Sequence, residues 1–258
     1  MITSGSNPQI KNVLLLNSKA KIRREQDVFV VEGTKMFLEV PVSHVVKIFV
    51  SETYYKNGIH KSKIEKCPFE VVADDIFKKI SDTKTPQGIL TIVKQFHYEE
   101  SNLFEKEKGL FLVLEGIQDP GNLGTMIRTG EGASISGIIM DRNTSDIYNP
   151  KVIRGTMGSI YRVPFYYTDD LKKTIEHMKR NNIQIIAAHL NGEKSYTEEN
   201  YLTPTAFLIG NEGNGLSDEI ANEADGFIRI PMGGKVESLN AAVAASLLIY
   251  EADRQRRQ

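Results

Sequence analysis

Two short apolar runs, each followed by a glycine-rich polar turn, constrain the fold of this chain most strongly. Residues 207–209 (FLI) lead into 210–217 (GNEGNGLS), and residues 227–230 (FIRI) lead into 231–240 (PMGGKVESLN). Apolar runs of this length, bounded by glycine or proline, are typical of buried strands. In open α/β sheets, ligands bind beyond the carboxyl ends of the strands. The pattern therefore predicts two ligand-binding loops, next to one another and built largely from backbone.

The first of these loops differs from a nucleotide-binding phosphate loop at one decisive position. Gly210 and Gly215 have the required spacing, but Leu216 stands where that loop needs a lysine. Without the lysine, no side chain reaches the β- and γ-phosphates of a nucleotide. No G-x-G-x-x-G sequence opens a helix after a strand either, which argues against a dinucleotide site. Taken alone, the loop could also be a turn that serves geometry only.

Composition narrows the class of protein. The 258 residues include 25% charged residues and have a formal net charge of -1, which argues against strong nonspecific binding of nucleic acid. Cys67 is the single cysteine, so neither a disulfide nor a cysteine-based metal cluster can form within the chain. The five histidines lack metal-ligand spacing. No signal peptide is evident, and the most apolar stretch, 241–250, is too short to cross a bilayer. We therefore expect a cytoplasmic protein without a metal site or a membrane span.

The chain divides into two predicted domains. Residues 1–94 alternate short strands and helices, which predicts a small α/β domain. Residues 95–108 are charged without an apolar period and predict a linker. Residues 109–258 open with the apolar run 110–114, typical of a strand buried on both faces of a parallel sheet. We expect a helix capped by Asn122 to follow this strand. The other elements predicted for this domain are strands at 137–140, 184–188, 205–209 and 227–230, and a final helix at 238–257.

The N-terminal 24 residues carry five basic side chains and no acidic one. These are Lys11, Lys19, Lys21, Arg23 and Arg24. A local basic patch can bind a phosphate backbone even on a chain of nearly zero net charge. A solvated helix end is the alternative, because most charge runs simply face water.

Three segments together resemble the SpoU (TrmH-type) family of RNA 2'-O-ribose methyltransferases. They are Asn122-Leu-Gly124 with Arg128-Thr129, residues 210–216, and residues 230–240. The stretch with Lys19, Arg23, Arg24 and residues 29–33 (FVVEG) is similar to the small L30e-like, substrate-binding domain that precedes the catalytic domain in many members. The resemblance covers nearly the whole chain.

The resemblance implies an α/β fold of the SPOUT class, in which the C-terminal part of a parallel sheet is threaded into a trefoil knot. Such a knot would be a rare exception to general topology rules. It also implies S-adenosylmethionine as cofactor, a homodimer formed through the catalytic domain, and methyl transfer to a ribose 2'-hydroxyl of RNA. Ribosomal RNA is the expected substrate. Transfer RNA, or a non-catalytic role in RNA binding or ribosome assembly, remains an alternative.

The resemblance also implies a catalytic set of five residues: Asn122, Arg128, Glu212, Ser238 and Asn240. Arg128 is often assigned as the base in this family. A guanidinium stays protonated, however, so we expect Arg128 to stabilise alkoxide charge or to hold a phosphate. Glu212 would orient Arg128 or Asn122, accept a proton, or cap the helix near Ser217. Ser238 could instead cap the last helix. We expect Asn240, inside the first turn of that helix, to point into the pocket.

Two further sets complete the expected site. The cofactor-binding set is Leu190, Asn191, Gly192, Gly210, Ile230, Met232 and Leu239, mostly through backbone groups. The RNA-binding set is Lys19, Lys21, Arg23, Arg24, Arg142 and Arg154.

Overall fold

The computed structural model describes residues 1–104, 108–189 and 192–258. The chain forms two compact units. The first comprises Met1–Phe96 and Asp146–Tyr161, and the second comprises His97–Ser145 and Arg162–Gln258. Along the sequence, residues 146–161 of the first unit lie between the two segments of the second unit. The expected boundaries 1–94, 95–108 and 109–258 do not include such an insertion. Those boundaries stay a prediction.

Helices and strands follow one another along the whole chain. In the first part of the chain they are α1 (Pro8–Ser18), α2 (Ala20–Gln26), β1 (Val28–Glu32), α3 (Thr34–Glu39), β2 (Val45–Ser51), α4 (Glu52–Lys56), α5 (Lys61–Ile64), β3 (Phe69–Val72), α6 (Asp74–Ile80) and β4 (Ile89–Lys94). In the second part they are α7 (Glu100–Phe104), β5 (Leu110–Leu114), α8 (Pro120–Gly132), β6 (Gly137–Met140), α9 (Pro150–Thr156), β7 (Phe165–Tyr167), α10 (Leu171–Arg180), β8 (Gln184–Ala188), β9 (Lys194–Ser195), β10 (Thr205–Ile209), α11 (Asp218–Ala221), β11 (Gly226–Arg229) and α12 (Ala241–Arg256).

The first unit is built on a four-stranded mixed sheet in the order β1-β4-β2-β3. Helix α1 begins where the Asn7 side chain accepts a hydrogen bond from the Gln9 amide, with Pro8 in the first turn. Its residues Ile10, Val13 and Leu16, spaced by one helical turn, are buried in the core of this unit. The expected α/β character of the N-terminal part is confirmed.

Residues 146–161 belong to the first unit although they lie far along the chain. Helix α9 packs against β1. The Arg23 guanidinium donates to Asp146 Oδ2 from Nε at 3.0 Å and from Nη2 at 2.6 Å. The Tyr148 hydroxyl accepts from the Phe96 amide at 2.6 Å and donates to the Phe96 carbonyl at 3.0 Å. These contacts hold the inserted segment against the N-terminal sheet.

The second unit is built on seven parallel strands in the order β7-β6-β5-β10-β8-β11-β9. All residues of β5 and β10 are buried, because both strands are fully apolar or nearly so and lie inside the sheet. The expected parallel sheet is confirmed. β8 lies between β10 and β11, so the expectation that the loops after these two strands lie next to one another stays a prediction. The neighbours of β10 are β5 and β8.

Both helices at the site begin at residues other than those expected. Asp119 caps α8, because its side chain accepts from the amides of Gly121 and Asn122. Asn122 therefore lies inside the first turn. Asn240 caps α12 by accepting from the amides of Ala242 and Val243, so Ser238 does not cap it. Each cap is followed by a residue that suits the first helical turn, Pro120 after Asp119 and Ala241 after Asn240.

Helix α12 is apolar on two faces. Ala242, Ala245, Leu248, Ile249 and Ala252 are buried, and the helix packs against α8, β10 and β5. Val243, Leu247 and Tyr250, spaced by four and three residues, are exposed by 47%, 36% and 46%. Within the part of the chain that the structure describes, no helix is both long and apolar enough to cross a membrane.

Candidate active site

The candidate site lies where β5 and β10 end, because their loops are held together by side chains from each. Residues 115–119 follow β5, and residues 210–217 follow β10. The Glu115 carboxylate accepts from the Ser217 amide at 2.8 Å and from its hydroxyl at 2.6 Å. Asn211 Nδ2 donates to the Gly116 carbonyl at 2.7 Å. The two loops thus form one polar surface at the carboxyl end of the parallel sheet, where α/β proteins bind ligands.

Glu212 is the centre of this surface. Its carboxylate accepts from the backbone amides of Gln118 at 3.1 Å and Asp119 at 3.0 Å, and from Asn122 Nδ2 at 2.9 Å. Burial by itself raises the pKa of this carboxyl, but the hydrogen bonds from Asn122 and the backbone outweigh it, so the pKa lies below its usual value. Glu212 is therefore ionised at neutral pH and orients Asn122. Of the expected alternatives, the structure favours orientation over proton acceptance.

Asn122 and Asn240 bring the helices α8 and α12 together. Asn240 Nδ2 donates to Asn122 Oδ1 at 2.9 Å, while Asn240 Oδ1 caps α12. The expectation that Asn240 does not cap the helix is therefore wrong, because its Oδ1 caps α12. Its place in the pocket stays a prediction, since Nδ2 keeps a second N–H. Asn240 fixes the Asn122 side-chain amide at its oxygen, while Glu212 fixes the same amide at its nitrogen.

Arg128 lies six residues after Asn122 on α8, and its side chain is exposed. Six residues correspond to about 240° around a helix, so Arg128 does not share a face with Asn122. Thr125, three residues from each, links the two positions along the exposed surface of the helix. Throughout residues 1–104, 108–189 and 192–258, Arg128 has neither a hydrogen bond nor an ion pair. Its charge is available to a ligand, and its role stays a prediction.

Two of the expected cofactor residues are glycines at points where backbone segments touch. A Cβ atom on Gly210 would lie 2.1 Å from the Gly215 carbonyl carbon, and one on Gly192 would lie 2.5 Å from that of Ile228. Both distances are far below van der Waals contact, so only glycine fits. The expected residues Leu190 and Asn191 lie outside the described residues.

The segment after β11 has the character of a cofactor site. In the described chain, the backbone of residues 231–239 takes part in no hydrogen bond, so its amides and carbonyls are open to a ligand. Met232 and Leu239 are half-buried beside these groups, Ile230 is half-buried where the segment begins, and Ser238 is exposed. S-adenosylmethionine presents an adenine ring, a ribose and an amino-acid moiety, which need backbone polar groups beside apolar side chains. The residues present fit that group.

The expected RNA-binding residues fall into two classes. Lys19, Lys21 and Arg24 are exposed on or beside α2. Arg23 is only 3% exposed and is committed to Asp146 and to the Leu16 carbonyl, so its assignment to phosphate binding is wrong. The physical reason is the helix itself, which turns Arg23 toward the core and Arg24 toward solvent.

The other two expected RNA-binding residues form surface ion pairs. Arg142 Nε donates to Asp169 Oδ1 at 2.7 Å, and this bond raises the pKa of Arg142. Arg154, in α9 of the first unit, pairs with Asp82. Exposed pairs of this kind contribute little energy and can exchange for a phosphate. Both residues remain candidates.

Sequence reasoning missed the backbone contributors to the site. The amides of Gln118 and Asp119 hold Glu212, yet a backbone amide leaves no trace in residue type. The Asp119-Pro120 dipeptide was a usable signal for the true start of α8, because proline favours the first helical turn. Within the described ranges, no group of three or more histidine, cysteine or acidic residues could hold a metal ion.

Comparisons with known proteins agree with this geometry. Residues 109–250 match the SpoU rRNA Methylase family, and residues 7–91 match the MRM3-like substrate binding domain. The chain is 30% identical over 253 residues to the 23S rRNA (guanosine(2553)-2'-O)-methyltransferase RlmP of Bacillus subtilis, covering 96% of this chain and 97% of that protein.

Two solved structures are similar over the whole chain. An AdoMet-bound rRNA methyltransferase from Sinorhizobium meliloti superposes with a TM-score of 0.86 at 30% identity, covering 98% of this chain and 97% of that one. An RNA 2'-O ribose methyltransferase superposes with a TM-score of 0.82 at 27% identity, covering 100% and 99%. The resemblance noted from three sequence motifs is confirmed.

Proposed function

Because the chain belongs to the SpoU rRNA methylase family, we propose that it transfers a methyl group from S-adenosylmethionine to a ribose 2'-hydroxyl of RNA. The observation that carries the proposal is the hydrogen-bonded set Glu212–Asn122–Asn240, which joins all three sequence motifs of the family at one point. Arg128, Glu212 and Asn240 are all present as the family site requires, which argues against a chain that has kept only the fold. The non-catalytic alternative is therefore disfavoured.

The cofactor supplies an electrophilic methyl on a sulfonium centre, and the protein must bind it, position the ribose and stabilise charge. The open backbone of residues 231–239 binds the cofactor. Asn122, held by Glu212 and Asn240, offers one remaining N–H and one remaining lone pair at a fixed place. Arg128 donates to the ribose oxygen as negative charge develops there, or to the neighbouring phosphate. With Glu212 ionised and its three bonds made, its part is orientation, and the proton leaves to water.

Ribosomal RNA is the proposed substrate. The relative RlmP acts on 23S rRNA by its name, and the N-terminal part resembles a substrate-binding domain. The distribution of charge between the two units supports RNA binding by the first unit. The first unit holds 17 Lys and Arg against 11 Asp and Glu, whereas the second unit holds 15 against 22. A polyanion is therefore attracted by the first unit, with Lys19, Lys21 and Arg24 among its exposed cations. Since ribosomal RNA is the substrate, we place the enzyme in the cytoplasm.

Dimerisation through the catalytic domain is proposed from α12. Its exposed residues Val243, Leu247 and Tyr250 line a cavity of about 480 Å³ together with Thr125, Tyr196 and Arg254. A contiguous apolar surface of this kind on a helix is typical of a protein interface. A second copy of the chain is the occupant that the family relationship favours.

The trefoil knot also stays a proposal. The family relationship supports it, because the SpoU resemblance implies a SPOUT fold with this knot.

The direct test incubates the protein with methyl-labelled S-adenosylmethionine and, separately, ribosomal and transfer RNA. We expect transfer to ribosomal RNA. Asn122→Ala and Arg128→Ala should each lower kcat by about 100-fold, the size expected for loss of one charge-stabilising donor. Arg180→Ala, an exposed arginine on α10, is the control. Undiminished transfer by Arg128→Ala, or transfer to transfer RNA alone, would contradict the proposal.

A further inference from the structure

Ser145, a half-buried residue in the loop after β6, contacts the loop that carries the amides facing Glu212. Its amide donates to the Ile117 carbonyl at 2.8 Å, and its hydroxyl donates to the Gln118 carbonyl at 2.5 Å. β6 is the direct neighbour of β5 in the sheet, so the loops after these two strands lie side by side. Among the residues that the structure describes, the Ser145 side chain forms no hydrogen bond with the proposed catalytic set; its hydroxyl bonds the Gln118 carbonyl.

Two consecutive peptide groups connect Ser145 to Glu212. In the first, the Ile117 carbonyl accepts from the Ser145 amide, and the Gln118 amide of the same peptide group donates to Glu212 Oε2 at 3.1 Å. In the second, the Gln118 carbonyl accepts from the Ser145 hydroxyl, and the Asp119 amide donates to Glu212 Oε1 at 3.0 Å. Each peptide group is thus bonded at its oxygen to Ser145 and at its nitrogen to Glu212.

This arrangement has a physical consequence for the carboxylate. A peptide group is planar and rigid, so fixing its oxygen also fixes the direction of its N–H. A hydrogen bond accepted at the oxygen also polarises the N–H and strengthens the bond it donates. Both oxygens of Glu212 are held in this way, and Glu212 in turn holds Asn122.

The neighbours of Ser145 keep it in place. Thr144 is buried, and its hydroxyl accepts from the Ile117 amide at 3.2 Å and donates to Asp141 Oδ1 at 2.7 Å. Asp141 also accepts from the Gly116 amide at 2.9 Å. The Tyr167 hydroxyl donates to the Ser145 carbonyl at 2.6 Å. The loop after β6 therefore meets the loop after β5 at several consecutive residues.

We propose that Ser145 is a positioning residue for methyl transfer, acting through the peptide groups 117–118 and 118–119 on Glu212 and thereby on Asn122. The inference rests on the proposed function, because it needs Asn122 at the reacting ribose. It assigns to the reaction a residue that lies outside all three sequence motifs.

The test is a double-mutant cycle on the full-length protein. Ser145→Ala should lower kcat about fivefold, as loss of one ordinary hydrogen bond does, with the KM for S-adenosylmethionine unchanged. Ser145→Thr keeps a hydroxyl and should restore kcat. In a Glu212→Ala background, Ser145→Ala should have no further effect, because the group through which it acts is gone. Ser101→Ala, an exposed serine on α7, is the matched control.

A kcat for Ser145→Ala equal to that of the control, or the same fivefold loss in the Glu212→Ala background, would overturn the proposal. The amide proton shift of Asp119 gives a readout independent of activity. Ser145→Ala should move it upfield, because the hydroxyl bond to the Gln118 carbonyl is lost, whereas the Gln118 shift should move less, because alanine keeps the backbone amide that bonds the Ile117 carbonyl. If the unaltered protein transfers no methyl group, the proposed function fails, and the Ser145 link is judged on the Asp119 shift alone: an unmoved shift refutes it.

Discussion

Two neighbouring arginines of helix α2 differ in solvent exposure. Arg23 is buried with Asp146, whereas Arg24 is exposed. We expect Arg23→Met to lower the free energy of unfolding by about 3 kcal/mol, because it leaves Asp146 without its partner in a partly buried position. Arg24→Met should change it by less than about 0.5 kcal/mol but weaken RNA binding. Chemical denaturation and a binding titration at fixed salt measure both effects. Equal stability of the two variants would refute the assignment of Arg23.

The lowered pKa of Glu212 predicts how the site responds to acid. A carboxyl whose pKa is lower in the folded protein stabilises the fold above its unfolded pKa, and that contribution is lost as the pH falls through the folded value. We therefore expect the bond from Asn122 to Glu212 to persist from neutral pH down past 4.5, the ordinary value for glutamate. The side-chain amide shifts of Asn122, followed by NMR, report it. A midpoint at or above pH 4.5 would contradict this account.

At the scale of elements, strands were predictable and loop contacts were not. β5 and β10 could be predicted from their apolar runs, because a strand buried on both faces needs apolar side chains at nearly every position. The helix starts were displaced because Asn122 and Ser238 are plausible caps in isolation, while Asp119 and Asn240 make the bonds. The contact of Glu212 with Gln118 spans 94 residues and depends on strand order, which local pattern does not encode. Only the family resemblance brought these segments together in advance.

Substitution of Gly210 tests how tightly the loop after β10 closes. In Gly210→Ala the new methyl would overlap the backbone of Gly215 and Leu216, so we expect a loss of about 3 kcal/mol in stability and no measurable cofactor binding. Gly213→Ala is the matched control in the same loop, because its methyl would meet only Asn211 Oδ1 at 3.5 Å. Thermal unfolding and calorimetry with S-adenosylmethionine compare the two. Normal binding by Gly210→Ala would show that the loop can open.

At the scale of the whole molecule, we expect the exposed face of α12 to determine the oligomeric state. Leu247→Glu places a charge in the middle of the exposed apolar stripe and should convert a dimer into a monomer, because burying an unpaired carboxylate costs several kcal/mol. Ile59→Glu, at an apolar residue 56% exposed in the first unit, should leave the dimer intact. Light scattering after size-exclusion chromatography gives the mass. A monomeric unaltered protein would refute the proposed interface.

The first unit is basic and the second acidic, so we expect the first unit to bind RNA and the second to carry the proposed chemistry. The most direct test of that chemistry is alkaline hydrolysis of RNA methylated by the protein with labelled S-adenosylmethionine. A ribose methylated at its 2'-oxygen cannot assist cleavage of the adjacent phosphodiester, so the label should appear in an alkali-resistant dinucleotide, and about 100-fold more slowly with Asn122→Ala. Label released in mononucleotides would mean that a base is methylated, and would contradict the account.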